Sequence, residues 1–180
     1  MTNTAFDQIS AKEYTRVTES MGLVELLKGQ LVARSKGGAA HQRAVLAVAL
    51  FLRTYGTKGV AAVGPQELYL SEDSVLLPDA FWVSKTSEKC RLRGDRWCGA
   101  PDVVVEVLAQ TSAKLDRGLK FDLYEKHGVR EYWLLDNADQ YAEIYRLERG
   151  QFIRQGLFTA DQAFRSTPLG VQVSVVDLLG

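Results

Sequence analysis

Two acidic residues lie inside the most hydrophobic stretches of this sequence, where apolar side chains would be expected. Asp79 stands in VLLPDAFWV, residues 75–83, and Glu106 stands in GAPDVVVEVL, residues 99–108. Both stretches predict buried strands, and side-chain alternation places each acid on the same face as apolar neighbours. An isolated ionised carboxylate in such surroundings costs at least several kcal/mol. Each acid therefore needs a cation, a metal ion or hydrogen bonds, unless it lies at a strand end near solvent.

A lysine in the helix predicted over residues 112–127 could supply such a cation. At about 100° per residue, Lys120 lies between Leu123 and Tyr124 in the middle of the apolar stripe, and Asp116 shares that sector. A lysine centred on a buried stripe is unusual, although its ammonium group can also reach solvent along the flexible side chain. Lys120 is therefore a candidate partner of the strand acids.

Two further polar residues are weaker candidates for the same site. His41 lies on the apolar face of a helix predicted over residues 40–55, in line with Val45 and Val48. Glu25 alternates with apolar neighbours in VELL. Each also has an ordinary structural explanation, as a hydrogen-bonded core histidine and as a glutamate that faces water.

Together these residue types are the ones that a metal-dependent phosphodiesterase uses. Two carboxylates can hold a hard cation such as Mg²⁺, which polarises a phosphate oxygen and activates a water molecule. A lysine beside them can orient that water or stabilise the developing charge. The sequence therefore predicts a catalytic site of Asp79, Glu106 and Lys120, with Glu25 and His41 as secondary members.

The length and composition fit one ordinary globular domain over residues 1–180. Hydrophobic residues make up 46% of the chain and charged residues 24%. Lys plus Arg and Asp plus Glu each number 22, so the chain lacks the basic excess of many nucleic-acid-binding proteins. One predicted loop over residues 84–98 is nevertheless basic, and it could follow a phosphate backbone or simply face water. Its basic residues are Lys85, Lys89, Arg91, Arg93 and Arg96.

Targeting signals and cysteine content indicate a cytoplasmic protein. The polar start, MTNTAFDQISAKEY, has no signal-peptide core. Apolar runs such as AVLAVALFL are too short to span a bilayer, so we expect no membrane association. Cys90 and Cys98 are predicted to be free thiols, because no further Cys or His lies near enough to complete a zinc site.

The remaining patterns predict a mixed α/β sheet flanked by helices, with an N-terminal hairpin and a C-terminal hairpin extension. Ser10 and Glu13 fit a capping box that begins a short first helix. VELL and QLVARS form a predicted hairpin across Lys28-Gly29, and YAEIYRL and QFIRQGLF form another across Arg149-Gly150. VLLPDAFWVS, DVVVEVLA and EYWLLDN are each predicted to form one strand. This alternation of strands and helices is typical of an α/β fold.

Most of the chain also resembles a known family. The pair PD at Pro78-Asp79, followed by Glu106 in VVVEVL, resembles the PD-(D/E)XK nuclease superfamily. The stretches VELLKGQLV, AHQRAV, LLPDAFWVS, GAPDVVVEVL and DRGLKFDLYEKHGVREYWLLD are similar to the bacterial Uma-type family of restriction-endonuclease-like proteins. The resemblance covers roughly residues 19 to 147.

The resemblance implies a restriction-endonuclease-like fold and a Mg²⁺-dependent endonuclease that acts on DNA, with Mn²⁺ as a substitute metal. It implies that Asp79, Glu106 and the backbone carbonyl of Val107 bind the metal, and that the protein pairs as a homodimer. The superfamily lysine would stand at Leu108, and Lys120 on the following helix matches the place where the Uma-type family has it. An acid common in the early hairpin of that family is replaced by Gln30, which is not carried over.

Two other functions fit the same residues. One is a catalytically silent dimer of the nuclease fold that acts as a nucleic-acid or protein binding module. The other is a metal-dependent hydrolase of small molecules. Fold alone does not decide among these functions, but a pure binding module has no need of the Asp79, Glu106 and Lys120 set.

Overall fold

The computed structural model describes residues 9–21, 23–34 and 37–180, with only the backbone at residues 17 and 19–21. The first eight residues of the polar start lie outside the described residues, as does residue 35 of the predicted first hairpin. The helices are α1 (Ala11–Met21), α2 (Ala39–Tyr55), α3 (Ala113–Asp116), α4 (Leu119–His127) and α5 (Val176–Leu179).

The strands within the described part of the chain form three sheets. The first has the order β2-β1-β5-β4-β8-β7, the second β12-β11-β10-β9-β6-β3, and β13 pairs with β14. Their bounds are β1 (Val24–Leu27), β2 (Gln30–Ala33), β3 (Gly59–Val63), β4 (Leu68–Ser71), β5 (Ser74–Leu76), β6 (Ala80–Ser84), β7 (Cys90–Arg93), β8 (Arg96–Gly99), β9 (Val103–Val107), β10 (Glu131–Asp136), β11 (Tyr141–Glu148), β12 (Gln151–Thr159), β13 (Ala163–Ser166) and β14 (Val171–Ser174). The predicted α/β class is confirmed, although two large sheets replace the single predicted one.

The central strands of the second sheet, β6, β9 and β10, are buried on both faces. One face packs against α2, where Val48 and Leu52 join a core with Val105. The other face packs against α4 and the first sheet, where Phe81 and Val104 share a core. All five residues of β9 are buried, which is why its sequence is a nearly continuous β-branched run rather than an alternating one.

Both predicted hairpins and the predicted capping box are confirmed. The turns at Lys28-Gly29 and Arg149-Gly150 each place two consecutive residues at positive φ, as tight hairpin turns require. At the start of α1, Glu13 Oε2 accepts hydrogen bonds from both the backbone N and the Oγ of Ser10, each at 2.8 Å. These local signals therefore determine the start of α1 and the turns of two hairpins.

The prediction of one strand over VLLPDAFWVS was wrong. The chain forms β5 in the first sheet and β6 in the second, and residues 77–79 connect them. Pro78 has no N–H to donate to a sheet, which favours a break there. As a result, Asp79 stands directly before β6 rather than inside a strand.

Two other predicted elements also differ. Residues 84–98, predicted as a loop, contain the β7–β8 hairpin, whose register runs from Cys90 opposite Gly99 to Arg93 opposite Arg96. The helix predicted over residues 112–127 is divided into α3 and α4, because Gly118 takes up a non-helical conformation.

Cys90 and Cys98 are free thiols, as predicted. None of the helices in the described part of the chain is long and apolar enough to cross a membrane.

Candidate active site

The two strand acids lie side by side where β6 and β9 pair. In the antiparallel register Ala80 stands opposite Val105, so one step further places Asp79 opposite Glu106. Asp79 Oδ2 accepts a hydrogen bond of 2.8 Å from the backbone N of Val107. Both acids are buried, with 4% of Asp79 and 2% of Glu106 exposed. Asp79 and Glu106 are therefore neighbours across the β6–β9 strand pair.

The ammonium group of Lys120 lies at the centre of three carboxylates. Its Nζ is 2.8 Å from Glu106 Oε1, 3.1 Å from Glu25 Oε1 and 3.3 Å from Asp116 Oδ1. Tyr124 OH donates a further hydrogen bond of 2.8 Å to Glu106 Oε1. Because only 3% of its side chain is exposed, Lys120 does not extend to solvent. It is instead an ion-pair partner of the acids.

Glu25 is buried rather than directed to water. Only 1% of the residue is exposed, and its Oε1 accepts a hydrogen bond of 2.7 Å from the backbone N of Leu77. The same oxygen contacts Lys120. Glu25, on β1 of the first sheet, therefore contacts both Lys120 and the β5–β6 connection that contains Asp79.

Asp79 contacts two basic side chains, Arg34 and His41. His41 Nε2, near the start of α2, lies 3.2 Å from Asp79 Oδ2. Arg34, the residue after β2, donates a hydrogen bond from Nη2 to Asp79 Oδ1. A Cβ at Gly37 would stand 2.2 Å from the ring of His41, so the ring packs tightly against this glycine. Both carboxylate oxygens of Asp79 therefore have partners, Oδ1 in Arg34 and Oδ2 in His41 and the N–H of Val107.

The acids and cations described above face one cavity of about 710 Å³. The cavity also reaches Val107 and the exposed residue Lys114. The five residues predicted from the sequence therefore come together in one place, and their catalytic roles remain predictions. Those five are Glu25, His41, Asp79, Glu106 and Lys120.

Burial and neighbouring charges move the pKa values of the two strand acids in opposite directions. Burial raises the pKa of Glu106, Lys120 opposes the rise, and Asp116, Asp79 and Glu25 add to it, so that the pKa reaches about 8. For Asp79, burial alone would also raise the pKa, but His41, Arg34 and the N–H of Val107 bring it below its ordinary value. Asp79 is therefore the readily ionised member of the pair.

Lys120 keeps its positive charge despite complete burial. Burial alone would lower its pKa, but Glu106, Glu25 and Asp116 raise it above the ordinary value. The charged form of Lys120 is stabilised by three acids, whereas each of those acids, including Glu106, has only a share of one ammonium group. The raised pKa of Lys120 and the raised pKa of Glu106 are therefore compatible.

The site has more negative than positive groups. Glu25, Asp79, Glu106 and Asp116 are four buried or nearly buried acids, whereas Arg34 and Lys120 are two permanent cations. Full ionisation with neutral His41 would leave two uncompensated negative charges, which equal the charge of one divalent cation. The site is therefore electrostatically suited either to bind such a cation or to keep Glu106 protonated.

The donor set fits a magnesium ion that is held by few protein ligands. Among the described residues, no three His, Cys, Asp or Glu side chains are arranged to bind one metal ion. Mg²⁺, however, commonly uses one or two carboxylates and completes its shell with water and substrate phosphates. The N–H of Val107 points to Asp79, and in an extended strand the carbonyl of a residue points to the same side as its N–H. Asp79, Glu106 and the Val107 carbonyl are therefore the oxygen donors that fit.

A model of the Uma2 family, described as "putative restriction endonuclease", matches residues 11–176. The chain belongs to the Uma2 family. The match extends beyond residues 19 to 147, where the sequence resemblance was apparent, and includes β13 and β14. It confirms the family that the motifs around Asp79 and Glu106 indicated.

A solved structure supports the fold of this Uma2 protein. The crystal structure of "a putative nuclease belonging to DUF820" from Anabaena variabilis ATCC 29413 superposes with a TM-score of 0.77. The two sequences are 16% identical, and the match covers 95% of this chain and 97% of the other. The similarity therefore shows a shared fold over nearly the whole chain. A comparison with curated proteins gave no significant match.

Sequence reasoning missed two members of the site and undervalued a third. Arg34 and Tyr124 were not predicted to contact the acids, and Asp116 was noted only for its position beside Lys120. Arg34 follows a short strand and has no periodic neighbours, so its direction could not be read from the sequence. The useful signal was the excess of buried acids, which required a second cation near Asp79.

Proposed function

We propose that this chain is a metal-dependent endonuclease that hydrolyses phosphodiester bonds in DNA, with Mg²⁺ bound by Asp79 and Glu106. The observation that carries the proposal is the placement of these two acids side by side in a cavity that would hold two uncompensated negative charges if all of its acids were ionised. Membership of the Uma2 family supports the same reaction class. Mn²⁺ is expected to substitute for Mg²⁺.

Asp79 and Glu106 would bind the metal together with the carbonyl of Val107. When bound, the metal would supply a polarised phosphate oxygen and a water molecule of lowered pKa. His41 and the N–H of Val107 hold the Asp79 carboxylate in a fixed orientation by contacts to Oδ2. A preorganised ligand of this kind loses little freedom when the cation binds.

Lys120 would stabilise the negative charge that develops on the phosphate during cleavage. Its pKa lies above the ordinary value, so it acts as a fixed positive charge and not as a base. Glu25 and Asp116 hold Lys120 beside Glu106. A cation fixed in a dry site stabilises a transition state more than one that must reorient from water.

The test is cleavage of a supercoiled plasmid, linear duplex DNA, single-stranded DNA and RNA by the purified protein with Mg²⁺ or Mn²⁺. We expect metal-dependent nicking of DNA that Asp79→Asn and Glu106→Gln abolish. Lys120→Met is expected to slow cleavage by about 100- to 1,000-fold. Wild-type protein that cleaves no DNA with either metal would contradict the proposal.

Asp102→Asn is the matched control for loss of a buried acid. Asp102 is 5% exposed and lies just before β9, where it pairs with Arg130 at 3.0 Å and accepts a hydrogen bond of 2.8 Å from Ser84 N. It contacts none of the site residues, so cleavage should persist in this variant. Equal loss in Asp102→Asn and Asp79→Asn would indicate damage to the fold rather than to a metal site.

The homodimer that the resemblance implies is part of the proposal. Leu46 and Leu50 on α2 are 59% and 57% exposed beside β3, the edge strand of the second sheet. Apolar side chains next to an unpaired strand edge are a suitable surface for a second copy. Sedimentation of wild type and Leu50→Glu tests this, with a monomeric wild type as the contrary result.

The binding-module alternative makes a different prediction in the same experiments. Such a protein would bind DNA but leave it intact with every metal, and Asp79→Asn would not change its affinity. Binding without cleavage would therefore favour that alternative over the endonuclease.

A further inference from the structure

The β7–β8 hairpin carries three exposed arginines on one face. Arg93 stands directly opposite Arg96, and Arg91 stands opposite Cys98. Opposed residues share a face of the sheet, as do residues two apart on one strand. Arg91, Arg93 and Arg96 therefore project to the same side, and we call this surface the arginine face.

Among the described residues, none of the acidic side chains forms an ion pair with the arginine face. In the described part of the chain, ion pairs with acidic residues involve other arginines and lysines. Arg96 forms a cation–π contact, with its guanidinium 5.2 Å from the centre of the Tyr69 ring. Like charges directly opposite each other destabilise a strand pair, so the Arg93–Arg96 arrangement needs an external reason.

The segment that holds these arginines is also the basic part of a neutral protein. Residues 85–98 contain five basic and two acidic side chains, which gives a local net charge of +3. Because the whole chain has a net charge of zero, the remainder carries −3. A local field of this kind attracts an extended anion to one region of the surface.

We propose that the arginine face binds the phosphate backbone of duplex DNA as an anchoring surface separate from the cavity. Guanidinium groups match phosphate oxygens through paired hydrogen bonds, and contacts of this type fix position without reading sequence. The choice of DNA rests on the proposed function.

The arginine face and the cavity lie at opposite ends and on opposite faces of the first sheet. Tyr69, beside Arg96, packs with Leu26 and Val75, whereas Glu25, next to Leu26 on β1, points to the other face and lines the cavity. Residues of β1 and β2 line the cavity at one end of the first sheet, and β7 is the strand at the other end. Five strand spacings of about 4.8 Å span roughly 24 Å.

The test is the salt dependence of DNA binding by the full chain, without metal so that no cleavage occurs. The affinity of wild type for a labelled duplex is compared with that of the triple variant Arg91→Gln, Arg93→Gln and Arg96→Gln. If each arginine contacts one phosphate, the slope of log affinity against log salt should fall by about 2.7. Between 50 and 200 mM salt, wild type should then lose about 40-fold more affinity than the variant.

A charge-matched triple variant separates a specific surface from net charge. Arg53→Gln, Lys58→Gln and Arg149→Gln remove three exposed basic side chains on α2, before β3 and in the β11–β12 turn and should leave the slope nearly unchanged. An equal reduction in both variants, an unchanged slope in the arginine variant, or no duplex binding by wild type would each overturn the proposal.

Two readouts distinguish this proposal from that of the active site. The arginine variant should retain metal-induced stabilisation, and its melting temperature should stay close to that of wild type, because loss of the Arg96–Tyr69 contact offsets removal of the like-charge pair. If DNA binds at the arginine face but is never cleaved, the anchoring surface stands and the endonuclease proposal fails. If DNA is cleaved with an unchanged salt slope in the variant, the reverse holds.

Discussion

Glu106 and Glu131 are two buried glutamates on adjacent strands with opposite surroundings. Glu131, on β10, is completely buried and uses both carboxylate oxygens. Its Oε1 accepts hydrogen bonds from Arg146 Nε at 3.2 Å and Thr167 N at 2.9 Å. Its Oε2 accepts from Trp133 Nε1 at 3.2 Å and Ser166 Oγ at 2.8 Å.

Glu106 receives weaker compensation although it is equally buried. Both of its contacts, from Lys120 and Tyr124, run to Oε1, and Lys120 is shared with two other acids. A buried acid with hydrogen-bond donors at both oxygens stabilises the packing of neighbouring elements. Glu131 on β10 does so by accepting hydrogen bonds from Ser166 at the end of β13 and from Thr167 in the following turn. A buried acid with too few hydrogen-bond donors, such as Glu106, is typical of a ligand-binding or catalytic site.

The largest expected difference concerns the pH dependence of the metal-free protein. Because the folded pKa of Glu106 is about 8, the folded state retains a proton that the unfolded chain releases near pH 4.5. The free energy of unfolding should therefore fall as pH rises from about 5 to 8, by up to about 1.4 kcal/mol per pH unit. Asp79 acts in the opposite direction, because its pKa is lower in the folded protein than in the unfolded chain. Its contribution to stability is present at pH values above the pKa of the unfolded chain and is lost as the pH falls through the folded pKa.

Urea unfolding in EDTA between pH 5 and 8.5 measures this dependence. Glu106→Gln should flatten the curve and become more stable than wild type at pH 8, while differing little at pH 5. A parallel fall in wild type and Glu106→Gln would show that another group causes the pH dependence.

The same substitution at Glu131 should be strongly destabilising. Glu131→Gln places an amide group among four donors and removes the charge that pairs with Arg146, so we expect a loss of about 2–4 kcal/mol. Glu106→Gln should cost nothing at neutral pH. Thermal melts of both metal-free variants check the contrast, and equal losses would mean that the two acids are structurally equivalent.

The local patterns predicted most of the fold because the signals were local. The two hairpin turns, the capping box and the continuous β-branched run of β9 each depend on a few neighbouring residues. The connection between β5 and β6 could not be predicted in this way. Its partners are Glu25 on one sheet and Val107 on the other, and both are distant in sequence.

The candidate site divides along the same line. Asp79, Glu106 and Lys120 were found because a charge in an apolar pattern is visible in the sequence itself. Arg34 was missed because its position depends on how the chain leaves β2. The arginine face was only partly anticipated, since the basic residues were noted but the hairpin register that aligns Arg93 with Arg96 was not.

Metal binding should stabilise the protein through Glu106 and not through Glu131. At about ten times its dissociation constant, Mn²⁺ or Mg²⁺ should add roughly 1.4 kcal/mol, or about 3–6 °C in melting temperature for a protein of this size. Asp79→Asn and Glu106→Gln should lose most of this shift. Glu131→Gln should retain it from a lower starting temperature, and a retained shift in Asp79→Asn would place the cation elsewhere.

The smallest expected effect concerns Arg34, which contacts the same carboxylate that would bind the metal. In the metal-free protein Arg34 donates to Asp79 Oδ1, and Asp79, Glu106 and Glu25 raise its pKa against the effect of burial. A cation must share or displace this contact, so Arg34→Gln should bind Mn²⁺ more tightly, by about three- to tenfold or roughly 1 kcal/mol. Arg34→Lys, which keeps the charge, is the matched control and should resemble wild type. Calorimetric titration with Mn²⁺ measures the affinities, and weaker binding in Arg34→Gln would mean that Arg34 helps to position Asp79 rather than competing with the metal.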